Sequence, residues 1–160
     1  RQKFHAVCYG YDISNEAIEA GRDAFPEIHL EQKVLHEIPY DKTFDLVICN
    51  FVLHWVDRSL LVQSMSRIDA LVRRGGTLVI GDFDPDYQQK RKYHHLPDEE
   101  VYTYKQDYTA FFKATGLYRE TAAFSFDHDK QTYGYAPSEA RGMCAALRKM
   151  ENEEYYVLTQ

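Results

Sequence analysis

Asp12 stands directly after FHAVCYGY at 4–11, a mix of β-branched, aromatic and small residues that reads as a strand. A carboxylate at the carboxyl edge of a sheet can accept both hydroxyls of a ribose, at the place where α/β folds bind ligands. It can equally cap the helix that Ser14 opens. Nicotinamide-dinucleotide domains use a similar acid, so Asp12 alone selects no cofactor. His54, in VLHWVDR, is the second candidate. An imidazole within reach of an acceptor hydroxyl removes its proton, a contribution of about 10²–10⁴-fold. The alternative is a histidine that orients its own loop through a backbone hydrogen bond. Trp55 beside it suits a pocket wall or the core.

The stretch DFDPDYQQKRKYHHLPDEEVYTY at 82–104 is rich in groups that contact small molecules. Tyr87, Tyr93, Tyr102 and Tyr104 can stack on, or hydrogen-bond to, a ring or sugar, with Asp84 among them. His94 and His95 with Asp82, Asp84 or Asp86 have metal-ligating side chains, but adjacent histidines point apart in extended chain, and no metal is expected. QKRK within this stretch suits a solvated run, or a phosphate or carboxylate on a substrate.

The elements that must carry these residues follow from pattern and punctuation. A helix capped by Ser14 runs to about Phe25, stopped by Pro26. A short strand at 28–34 and a connecting loop, HEIPYDKT, follow. FDLVICN at 44–50 is the second clear strand, and its apolar run predicts cover on both faces. Asp57 is expected to cap a helix over 58–73. Leu60, Leu61, Met65, Ile68, Leu71 and Val72 give it one buried stripe. Arg73 and Arg74 should sit at its negative end and Gly75-Gly76 should break it. TLVIGDF at 77–83 is a third strand. This alternation predicts a parallel α/β sheet with right-handed crossovers. Beyond it, 84–103 reads as a long loop, the kind that in a compact domain serves function. A helix at 104–115 closed by Gly116, a strand at 118–127 and an antiparallel partner at 142–150 complete the pattern. The tail at 151–160 has no clear assignment.

The chain has 160 residues, 44% hydrophobic and 28% charged, which predicts a single domain with a sizeable core. Nine Phe, 13 Tyr and one Trp exclude a chain that cannot collapse. With 19 basic against 25 acidic residues, the net charge of −6 disfavours a nucleic-acid binder. No apolar run is long enough to span a membrane, and RQKF leads into no apolar segment of a signal peptide. Cys8, Cys49 and Cys144 form no CxxC and predict buried, reduced thiols in a cytoplasmic protein.

Taken in order, GYDIS at 10–14, HEIPYDKTFDLVICNFVLHWVDR at 36–58 and LVRRGGTLVIGDF at 71–83 resemble the class I S-adenosylmethionine-dependent methyltransferases, the small-molecule group above all. The resemblance implies a Rossmann-like sheet of order 3-2-1-4-5-7-6, mostly parallel with an antiparallel C-terminal hairpin. It implies S-adenosylmethionine as cofactor, with Asp12 on its ribose and Ile13 on a face of its adenine, or else in the core. A family acid near Val34 and Leu35 is lacking here. Their backbone, or the His36 side chain, would hold the adenine edge instead. Asn50 and Phe51 would face the cofactor's amino-acid end. NFVL is unlike the NPPY of DNA adenine enzymes. His54 is the candidate base, and Trp55, Asp84, Tyr87, Tyr93 and Tyr104 face a small-molecule acceptor, methylated at oxygen. Methyl transfer needs alignment and exclusion of water more than protein chemistry, so neither a base nor a metal is obligatory.

The family's first strand and glycine-rich loop do not occur in this sequence. That strand is central, and its loss would leave two rows of backbone groups unpaired. The expectation is therefore a piece of a longer protein, lacking about 40–60 residues at its start and inactive alone. A methyltransferase-fold binding module without catalysis is the first alternative. An NAD-dependent oxidoreductase, requiring an upstream GxGxxG, is the second.

Overall fold

A computed structural model of the chain describes residues 6–96, 98–151 and 159. The chain divides into two compact units, Arg1–Asp41 and Lys42–Gln160.

The first unit is a β-α-β element. Strand β1 (Tyr9–Asp12) and strand β2 (His29–Gln32) pair in parallel, Tyr9 opposite His29, joined by helix α1 (Asn15–Ala24). Ser14 caps α1 as expected, its Oγ accepting from Ala17 N–H at 3.2 Å. The helix ends at Ala24, two residues before Pro26. It lies close on the strands. A Cβ on Gly10 or Gly21 would come within 2.6 and 2.7 Å of Leu30, so glycine at both positions lets that leucine pack between helix and strand. The first strand is shorter than expected. Residues 1–5 lie outside the described residues, and strand pairing starts at Tyr9. The loop expected after β2 contains a 3₁₀ turn, Leu35–Glu37.

The second unit is built on a five-stranded sheet. Strand β3 (Phe44–Asn50) has the bounds its apolar run predicts. Helix α2 (Leu61–Leu71) leads straight into strand β4 (Val72–Phe83). A hairpin of β5 (Gln89–Lys92) and β6 (Tyr102–Lys105) precedes helix α3 (Thr109–Ala114). Strands β7 (Tyr118–Asp127), β8 (Thr132–Tyr133) and β9 (Arg141–Lys149) complete the order β3-β4-β9-β7-β8. β3 and β4 are parallel, and β9 is antiparallel to both β4 and β7. Hence β3, β4 and β7 all point the same way and end at one edge. The inserted antiparallel β9 matches the 4-5-7-6 half of the expected order. It departs from the all-parallel 3-2-1-4-5-6 order of dinucleotide oxidoreductases.

Several local expectations are corrected here. Asp57 does not cap α2. Its Oδ1 accepts from Ser59 N–H (2.8 Å) and Ser59 Oγ (2.5 Å), closing a turn three residues ahead of the helix N-cap, Leu60. Of the expected stripe, Met65, Ile68 and Leu71 are buried on the helix, while Leu60 and Leu61 are half-buried and Val72 is buried as the first residue of β4. Arg73 and Arg74 do not sit on the helix end, because the chain is already extended at Val72. The cation there is Lys149 of β9, whose Nζ donates to the carbonyls of Asp69 (2.7 Å) and Val72 (3.2 Å) and pairs with the Asp69 carboxylate (2.8 Å). Gly75-Gly76 do not break a helix either. They form a bulge in β4, where the register against β3 jumps from Phe44–Val72 to Leu46–Thr77. Gly75 has φ +67°, and a Cβ on Gly76 would press on the Arg73 and Phe44 carbonyl oxygens.

The 84–103 stretch is not simply a loop, since β5 and the start of β6 lie in it. The helix expected from residue 104 starts only at Thr109, because Tyr102 and Tyr104 alternate as strand and Asp107 caps the turn by accepting from Thr109 N–H at 2.8 Å. β3 is covered on one face only within its unit. Cys49 is buried, but Leu46 and Ile48 are 52% and 64% exposed. No helix among the described residues is long and apolar enough to cross a membrane.

Candidate functional site

The edge where β3, β4 and β7 end gathers Asn50 and Phe51, Asp82 and Phe83, and Phe126 to His128. Asn50 lies opposite Gly81, and its Oδ1 occupies the space a Cβ on Gly81 would need. Phe51 then turns the chain sharply. Its φ is +51°, and its N–H donates to the Gly81 carbonyl at 2.7 Å. The left-handed region costs a bulky residue about 1–3 kcal/mol, a strain found mainly where a site requires it. The turn aims the Phe51 ring at Phe83 (5.2 Å between centroids), His128 (4.9 Å) and His54 (6.0 Å).

His54 sits on a 3₁₀ turn, Leu53–Trp55, anchored by the fully buried Leu53. Its ring and Asp82 are each 4% exposed. Asp82 Oδ1 accepts from His54 Nδ1 and from Phe83 N–H, both at 2.8 Å, and Oδ2 accepts from His54 N–H at 3.2 Å. A carboxylate holding Nδ1–H leaves the lone pair of a neutral imidazole on Nε2. Among the described residues no partner engages that nitrogen. The loop-orienting bond expected of His54 therefore exists, but through Asp82, and it points the basic nitrogen away from its anchor. Nearby, burial and then the Asp82 charge push the Cys49 thiol up to about 12. The three cysteines are free, but only Cys49 is buried as expected, Cys8 and Cys144 being half-buried.

The remaining candidates fall into separate places. Trp55 is 43% exposed and meets Tyr93 edge to face at 4.7 Å, so these two form a wall beside His54. Tyr104 lies under the Arg58 guanidinium, 4.4 Å from its ring centre, as part of the packing of β6. Asp84 faces Arg141, which donates to its carbonyl at 2.7 Å and lies 3.5 Å from its carboxylate. Burial, the larger influence, still raises the Asp84 carboxyl above its ordinary value. Tyr87 is 72% exposed and away from the aromatic cluster. His94 and His95 lie in a turn rather than extended chain, and their rings approach to 3.9 Å instead of pointing apart. No cluster of three metal-ligating side chains occurs among the described residues.

In the first unit, Asp12 Oδ1 accepts from Ser14 N–H at 2.8 Å, the helix-capping use. Among the described residues its other oxygen is unpartnered. Ile13 is 68% exposed, so core packing does not account for it. Val34 and Leu35 are half-buried, with their carbonyls accepting from Glu37 and Ile38 in the 3₁₀ turn.

Sequence reasoning weighed Asp82 only as a metal ligand, and missed Phe83, Lys105 and His128. A strand-end acid facing a histidine-bearing turn was the one available signal for Asp82. Nothing local marks Lys105 or His128, which are brought in by β6 and β7.

The arrangement is that of a Rossmann-like sheet with a polar-aromatic site at its carboxyl edge. Residues 1–80 match the methyltransferase domain family, and the chain belongs to that family. An uncharacterized methyltransferase from Alkaliphilus oremlandii is 25% identical over 129 residues, covering 72% of this chain and 59% of that protein. Among solved structures, the 1,6-didemethyltoxoflavin N1-methyltransferase of Burkholderia thailandensis superposes with a TM-score of 0.67 at 14% identity, over 89% of this chain and 61% of that one. That structure holds 1,6-didemethyltoxoflavin and S-adenosylhomocysteine. A methyltransferase from Methanosarcina mazei gives a TM-score of 0.68 at 11% identity, over 89% and 81% of the two chains. The N-methyltransferase NodS of Bradyrhizobium japonicum gives 0.63 at 14%, over 91% and 67%. The chain thus spans about three fifths of the length of the curated relative and of the first of these structures.

Proposed function

We propose that the protein transfers a methyl group from S-adenosylmethionine to an oxygen of a small-molecule acceptor, in the cytoplasm. The observation that carries this reading is the buried His54–Asp82 pair at the carboxyl edge of a methyltransferase-type sheet, with the His54 lone pair left unengaged. Family membership and the neighbours' bound S-adenosylhomocysteine support the choice of cofactor. The cofactor, when bound, supplies an electrophilic methyl carbon.

Residues within each unit suit separate parts of such a molecule. In the first unit, the unpartnered oxygen of Asp12 suits a ribose hydroxyl and the open Ile13 suits one face of an adenine. Val34 and Leu35 are assigned to the adenine edge. In the second unit, Asn50 and the strained Phe51 are assigned to the amino-acid end. His54 takes the proton of the acceptor hydroxyl on Nε2 while Asp82 holds Nδ1–H. Trp55 and Tyr93 wall the acceptor and exclude water. Asp84, Tyr87 and Tyr104, on or beside the 84–103 stretch, are assigned to the acceptor side. Both units are read as parts of one domain. The exposed apolar side chains of Leu46 and Ile48 support further chain covering β3.

The test is calorimetry with S-adenosylmethionine on the full-length protein, then transfer of its labelled methyl group to phenols and amines. Binding with label on phenol oxygen is expected. Label on nitrogen alone removes the oxygen assignment, binding without transfer favours a binding module, and no binding ends the reading.

A further inference from the structure

Lys105 is the last residue of β6 and faces the same way as Thr103, which is buried. Its Nζ lies 3.4 Å from the centre of the Phe83 ring. Phe83 in turn meets His128 at 5.0 Å and Phe51 at 5.2 Å, so the ammonium rests on the rim of the aromatic cluster. No carboxylate among the described residues is within ion-pair distance of it. The charges that bear on it are Arg91, Asp129 and Asp82. Asp129 attracts it from beyond ion-pair distance, Asp82 is already taken by His54 and Phe83, and Arg91 repels it. A half-buried cation without a counter-ion is costly unless something negative joins it. The aromatic face offsets only part of that cost. Phe51, Phe83, Phe126 and His128 are each half-buried, so planar apolar surface remains open beside the charge.

We propose that Lys105 binds a negative group on the methyl acceptor, and that the acceptor is a planar aromatic acid lying against Phe51, Phe83 and His128. This assignment deepens the acceptor side of the methyl-transfer reading and rests on it. A carboxylate and a phosphate share the chemistry that Lys105 would recognise.

The test uses saturation-transfer NMR on the full-length protein with 4-hydroxybenzoate, phenyl phosphate and the neutral 4-hydroxybenzamide. At least one acid is expected to bind about tenfold tighter than the amide, and the ratio of the two acids tells carboxylate from phosphate. Lys105→Gln should remove that advantage and leave the amide unchanged, while Lys105→Arg should keep most of it. Equal binding of acids and amide, acid binding indifferent to Lys105→Gln, or no binding of any probe at about 10 mM overturns the proposal. S-adenosylmethionine affinity, measured on the same samples, reports the transfer reading separately. Its loss with Lys105-dependent acid binding intact defeats that reading and leaves the acid site standing.

Discussion

Asp82 accepts three hydrogen bonds from two segments of chain, and both it and His54 are only 4% exposed, so the imidazole donor has no water to turn to. Removing it strands the His54 and Phe83 donors. Asp82→Ala should therefore lower stability by about 3 kcal/mol, read as a shifted urea midpoint at constant slope. Asp82→Asn keeps the volume and one acceptor oxygen. It should cost less stability but permit the wrong His54 tautomer, lowering turnover about 10²-fold and altering the acidic limb of the pH–rate profile. Equal loss of turnover in Asp82→Asn and His54→Ala, without additivity in the double variant, would mark the two as one device. A purely structural Asp82 would leave the pH profile where it was. His54 was legible because the resemblance to the methyltransferases places a histidine there, near the pocket. The partner was not, because Asp82 is 28 residues away and only the parallel pairing of β3 with β4 brings the two strand ends together.

At the level of elements, the β4 bulge and the end of α2 form one construction. Three extra residues on β4 are accommodated between Phe44 and Leu46 of its partner, and Gly75 takes the left-handed turn this requires. Gly75→Ala should destabilise by about 1–2 kcal/mol through φ, and its Cβ would also have to displace the Glu151 carboxylate, which lies 2.8 Å from that position. Lys149→Met keeps the apolar stem but strips the α2 carbonyls and Asp69 of their cation. A loss of about 1 kcal/mol is expected, shrinking in high salt, and urea unfolding of the two variants at low and high salt separates the causes. Both features explain where the sequence was readable. β3 and β7 stand where their apolar and alternating runs put them, although burial follows neither pattern, since Leu46 and Ile48 of β3 are exposed and so are residues 119–124 of β7. The end of α2 was misread because glycines after a helical stripe usually mark a stop, and the helix had already ended at Leu71 against its own strand. The β5–β6 hairpin was hidden because residues 102–105 alternate over too short a stretch to separate from the helix that follows the Asp107 turn. Asp12 kept two readings in the sequence, and its one bond to Ser14 leaves the second oxygen for the other use.

Across the whole molecule, pH should act through a few groups shifted by their surroundings rather than through the net charge of −6. Burial raises Cys49 from 9.0 and Tyr108 from 10.0, each to about 12. In the unfolded chain both ionise near their ordinary values, so between those values and about 12 the unfolded state holds fewer protons. Stability must then fall as pH rises through that window. Lys105, pushed down chiefly by burial, acts in the opposite direction below its ordinary 10.5, because there the unfolded chain is the more protonated. Asp127, held down chiefly by the Lys130 backbone N–H, and Asp57, held down by Ser59, set the acid side. Their contribution is present at neutral pH and is lost as pH falls below the ordinary 3.8 through their folded values. Urea midpoints measured from about pH 8 to 11 should decline, more shallowly in Cys49→Ala and more steeply in Lys105→Gln. A midpoint flat over that range, or a decline unchanged in Cys49→Ala, would show that the thiol beside Asp82 is as free to ionise in the fold as outside it. The dry floor that β3 gives the His54–Asp82 pair would then not exist.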